Sequence, residues 1–98
     1  MGIMRELRLP AIFEPAVDAA PYVPRPQSSH RVKFAFRVDF NNGGHVQGED
    51  FLLDIEGDTV TPARLAEMIV SAMNLLRAGP VTIRAMQVVP RGAHQDSA

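Results

Sequence analysis

From Val32 the chain alternates apolar and polar side chains: Val32, Phe34, Phe36, Val38 and Phe40 interleave with Arg31, Lys33, Ala35, Arg37 and Asp39. That period of two predicts a strand with one buried face over 31–40. Asn41-Asn42-Gly43-Gly44 tolerates positive φ and predicts a hairpin turn. The returning strand, 45–55, puts Phe51, Leu53 and Ile55 on one face, but Val46 has the opposite parity. A bulge near Gly48 reconciles the two halves, since one extra residue reverses the alternation.

The period then changes to that of a helix. In the stretch Val60–Pro80, Leu65, Met68, Ile69, Ala72, Met73, Leu75 and Leu76 share one side, and Arg64, Glu67, Ser71, Asn74 and Arg77 share the other, with Val70 inside the polar arc. Thr61 is an N-cap candidate, Pro62 occupies the first helical position, and Val60 and Leu65 stand at hydrophobic-staple spacing. Arg64 replaces the Glu or Gln of a capping box. At the far end Arg77 suits the helix dipole, Gly79 can take the left-handed C′ conformation and Pro80 stops the helix. The apolar arc spans about 160°, wider than the roughly 100° stripe of a surface helix. Either the chain's own N-terminal arm or a second copy must cover its flanks.

A third strand follows through Val81, Ile83 and Ala85 toward Val89 and ends at Pro90. The expected domain over 31–90 is therefore α+β, a small, mainly antiparallel three-stranded sheet of β-β-α-β order with the helix on its apolar face. The strand with the most complete alternation takes the centre, giving spatial order 2-1-3. Strands two and three run parallel through a crossover.

Residues 1–30 contain Pro10, Pro15, Pro21, Pro24 and Pro26, which forbid a long helix and favour an extended arm. Ile3, Leu7, Leu9, Ile12, Phe13, Val17, Tyr22 and Val23 make that arm more apolar than a disordered tail. It either lies along a hydrophobic surface, with a short strand near Glu6 to Leu9 and a loose linker over Pro24–Ser29, or is disordered. The tail over 91–98 lacks apolar periodicity and is expected to be mobile.

Composition narrows the function without naming it. Ten basic against 11 acidic residues give no field for nucleic acid or an anionic membrane. Phe34, Phe36 and Phe40 lie on the face the helix should cover, so they form no base-stacking platform. No Cys is present, which removes disulfides and thiolate chemistry. No apolar run has signal-peptide or membrane-span length, so a soluble cytoplasmic protein is expected.

Of the three histidines, His30 and His94 lie in the expected linker and tail, whereas His45 follows the Gly-Gly turn and precedes Glu49 and Asp50, and these three form the candidate catalytic or ligand-binding set. Residues 41–60 carry five acids and no Lys or Arg. Asp54, Glu56 and Asp58 are the candidate oxygen ligands of a hard cation, although the spacing is not that of an EF-hand loop. The bland reading of the acids is a solvated strand face paired with Arg31, Lys33, Arg37 and Arg84. No cofactor motif is present. The expected function is a non-catalytic interaction or accessory module, a homodimer or a subunit docking on a larger protein, through a sheet edge, the helix flank and the arm. Met68, Met73, Leu75, Ile12 and Phe13 are the expected interface residues. The alternative is a small-molecule-binding protein or small enzyme with a pocket near the hairpin end or dimer seam.

Overall fold

A computed structural model of the chain describes residues 9–15, 18–75 and 78–91. The elements are β1 (Ala11–Phe13), β2 (His30–Phe40), β3 (His45–Ile55), α1 (Pro62–Ala72) and β4 (Ala78–Pro90). The strands form one sheet in the order β1-β4-β2-β3, with every neighbouring pair antiparallel. β2 is central, as its alternation requires. The expected three strands become four because the arm adds β1 outside β4, pairing Ala11, Ile12 and Phe13 with Ile83, Thr82 and Val81. Three residues between Pro10 and Pro15 are too short a run for periodicity to register; the edge of β4 supplies the reason to be a strand. Of the strand expected near Glu6 to Leu9, only Leu9 is described.

The buried face of β2 is the one its pattern marks. Val32, Phe34, Phe36 and Val38 are all within 2% of complete burial. Ile55, Val81 and Ile83 join them from the neighbouring strands, and Leu65, Ala66, Met68 and Ile69 close the core from the helix. Burying each large side chain contributes roughly 1.5–3 kcal/mol, so this layer carries most of the fold's stabilisation.

Three irregularities re-aim the strands. The pairing of β2 with β3 passes from Phe34–Phe51 to Phe36–Gly48, leaving one extra residue at Glu49–Asp50, where Asp50 has φ 59°. On the other side the register passes from Ala35–Ala85 to Phe36–Ile83, so Arg84 is the extra residue. The two bulges flank the same residue, Ala35. A third, between the pairs Val38–Val81 and Phe40–Ala78, contains Gly79.

The helix starts as expected: Thr61 Oγ1 accepts the Arg64 N–H at 3.1 Å and Pro62 opens the first turn. Its end is different. α1 stops at Ala72, Asn74 takes the left-handed conformation (φ 53°), and the N–H groups of Asn74 and Leu75 bond the carbonyls of Ser71 and Val70 at 3.1 and 3.0 Å. This is a Schellman closure with Asn in place of Gly. Gly79 instead sits buried in β4, where an added Cβ would stand 2.9 Å from the Asp39 carbonyl oxygen. Close backbone approach, rather than positive φ, explains that glycine.

Candidate functional site

After β1 the arm becomes a strap across the flank of α1. The Arg64 guanidinium donates to the Ala20 carbonyl at 2.9 Å, and the Tyr22 N–H donates to Ser71 Oγ at 2.7 Å. The Tyr22 hydroxyl accepts the Asp54 N–H of β3 at 2.9 Å. Leu9, Phe13 and Tyr22 pack against the core. Of the two alternative covers for the wide helix face, the chain's own arm is the one that lies on it.

Pro24–Ser29, expected as a loose linker, is a turn clasped by Arg91. The Ser28 N–H bonds the Arg25 carbonyl at 2.9 Å. Arg91 donates through Nε to the Ser28 carbonyl at 2.8 Å and through Nη2 to Ser28 Oγ at 3.1 Å, and its N–H bonds the Ser29 carbonyl at 2.8 Å. The same guanidinium pairs with Asp54, whose second oxygen accepts the Arg25 N–H at 2.6 Å. Asp54 and Arg91 are the least exposed of the ion-pairing side chains.

The clasp also engages Asp54, the first of the expected cation ligands. Both Asp54 oxygens are occupied by donors, Glu56 lies 3.8 Å from Arg25, and Asp58 is exposed in the turn made by Gly57 at φ 75°. Among the described residues no three His, Asp or Glu side chains gather as a metal site. His45, Glu49 and Asp50 are likewise not brought together. His45 opens β3 opposite Asp39, whereas Glu49 and Asp50 lie in the bulge, roughly 13–17 Å further along at strand rise. Glu49 and Asp50 line a hollow of about 500 Å³ with Lys33, Ala35, Arg84 and Gln87. Lys33 and Asp50 are 3.8 Å apart and both well exposed, a pair worth at most about 1 kcal/mol.

Between strap, β3 and the start of α1 lies a second cleft, of about 410 Å³. Tyr22, Ile55, Val60 and Met68 line it with apolar surface, and Arg25 and Arg64 are among its polar residues. Burial raises the Tyr22 pKa above the ordinary 10.0; the Asp54 amide that it accepts opposes this in part.

The far edge of the sheet is the other feature. Phe51 and Leu52 are exposed side by side, at 43% and 42%, and their alternation sends them to opposite faces of β3. Phe51 leans over Gly48, with its ring 5.4 Å from that of Phe36 at an 81° edge-on angle. A Cβ on Gly48 would come within 2.6 Å of the Phe51 ring, so the glycine makes room for it. Because the Asp54 N–H points away from β2 toward Tyr22, the ladder turns the Leu52 N–H outward too, and no described residue accepts it. Of the five expected interface residues, Ile12 alone is largely exposed (67%). Met68 is buried inside the chain's own core, and Phe13, Met73 and Leu75 pack partly against it. A helical period marks such residues as apolar without saying which cover they receive.

Sequence reasoning missed Tyr22 and Arg91 as organising residues. A lone tyrosine in a Pro-rich arm and an arginine just after Pro90 carry no periodic signal. Among the described residues no helix is long and apolar enough to cross a membrane. Comparison with family models, curated proteins and solved structures finds no match to this chain.

Proposed function

We propose that this chain is a non-catalytic protein-interaction module that self-associates along the β3 edge. The observation that carries the reading is the exposed Phe51–Leu52 pair on an edge strand whose Leu52 N–H faces outward. Edges of this kind template pairing with another strand. An antiparallel, two-fold contact centred on Leu52 would set Leu52 against Leu52 on the open face. It would also set Phe51 against Leu53 twice on the helix side, so that all three cross-strand pairs are apolar. Of the like charges this register opposes, Asp54 is paired with Arg91 within its own chain, and Asp50 lies exposed, 3.8 Å from Lys33. The helix flank is not needed for the contact, because the strap already lies on it.

Light scattering behind a sizing column tests the reading. The account expects a mass near twice 10.7 kDa over a tenfold concentration range, and a return to the single-chain mass in Leu52→Arg. A wild-type protein that stays at the single-chain mass throughout contradicts self-association.

A further inference from the structure

Apart from the edge contact, we propose that the cleft under the strap binds a small carboxylate carried on an apolar body, such as a medium-chain fatty acid. Its volume, about 410 Å³, lies in the range of small-molecule sites. The half-buried Val60 and Tyr22 offer an apolar chain its contact surface, with the buried Ile55 and Met68 behind them.

The polar lining selects the head group. Each Asp54 oxygen already meets a donor, Arg91 at one and the Arg25 N–H at the other. Arg64 uses Nη1 for both Ala20 and Glu67, leaving Nε and Nη2 without a partner among the described residues. Arg25 is held only by a loose contact of 3.8 Å to the well-exposed Glu56. The Tyr22 oxygen accepts from Asp54 and keeps its own hydrogen for donation. Against these donors the cleft sets Glu56, exposed and 3.8 Å from Arg25, and the engaged Asp54. The unpaired edge of the Arg64 guanidinium is therefore its freest polar group, and a planar carboxylate matches a guanidinium fork better than a hydroxyl or an amine does.

Tyr22 is the chain's single tyrosine and there is no Trp, so intrinsic emission reports on this cleft directly. The full-length protein is titrated with octanoate, octanol and octylamine. The expected result is a saturable change in Tyr22 emission with octanoate, markedly weaker with octanol and absent with octylamine. Loss of one charge-assisted contact in Arg64→Gln should weaken octanoate by about tenfold. Because Arg64 also holds the strap, Arg25→Gln is the second variant, and it should weaken octanoate several-fold with an unchanged melting temperature. No saturable response to octanoate, equal responses to octanoate and octanol, or undiminished octanoate binding in both variants would overturn the proposal.

Discussion

At the scale of the residue, two glycines and one tyrosine set local geometry that no other side chain reproduces. Gly48→Ala drives a methyl into the Phe51 ring, and Gly79→Ala drives one into the Asp39 carbonyl. Gly79→Ala, against fixed backbone, should cost about 1–3 kcal/mol by chemical denaturation, the usual penalty of overpacking, and Gly48→Ala less, because the half-exposed Phe51 ring can swing away. Gly48→Ala should also displace Phe51 and lower self-association, whereas Gly79→Ala should not. Tyr22 links pH to stability. Its pKa is raised in the folded chain, chiefly by burial, so the folded state favours the protonated phenol. That contribution is intact below the unfolded pKa of about 10 and is lost as pH rises through the folded value. Absorbance titration of this lone phenol should give a midpoint above 10 in the native protein and near 10 in denaturant. Tyr22→Phe should lose the phenol's share of the alkaline destabilisation. An unshifted native midpoint would mean that the Tyr22 ring is not held against β3.

At the scale of the element, caps and clasps fix where each segment stops. Asn74 ends α1 in the left-handed conformation, so Asn74→Ala should lose about 1 kcal/mol, and Asn74→Gly should hold close to the wild-type melting temperature. Arg91→Ala removes the guanidinium that joins the Arg25–Ser28 turn to Asp54. Loss of its charged hydrogen bonds should cost about 1.5–3 kcal/mol and make the strap amides exchange faster, with little change at β2. The elements differ in how far sequence discloses them. β2, the hairpin turn, the bulge beside Gly48 and the Thr61–Pro62 start are written in local periodicity and capping chemistry, and they stand where that chemistry puts them. The helix ends earlier than its pattern suggests, because Gly79-Pro80 is the stronger local stop signal, while the stop in use is Asn74, a less common left-handed residue. β1 and the Arg91 clasp have no local signature. Their partners lie from 37 to about seventy residues away in the chain, and only the folded sheet brings them together.

At the scale of the whole molecule, the arm does the covering that the wide apolar face of the helix demands. It enters the sheet as β1, crosses the helix flank through Ala20 and Tyr22, and reaches the opposite edge at Asp54. The candidate site follows from that route. The acids clustered over 41–60 suggest chemistry in the sequence, but the fold spends Asp54 on the clasp and separates His45 from Glu49 and Asp50 along β3. The strap stops at Asp54, and the edge beyond it, with Phe51 and Leu52, is left uncovered. The most direct test of edge pairing is hydrogen exchange at the Leu52 amide, read by NMR in dilute and concentrated samples. Pairing predicts protection of this amide that rises with protein concentration and vanishes at that position in Leu52→Arg. Fast exchange at Leu52 at every concentration, in a protein whose β2 amides remain protected, would contradict the account.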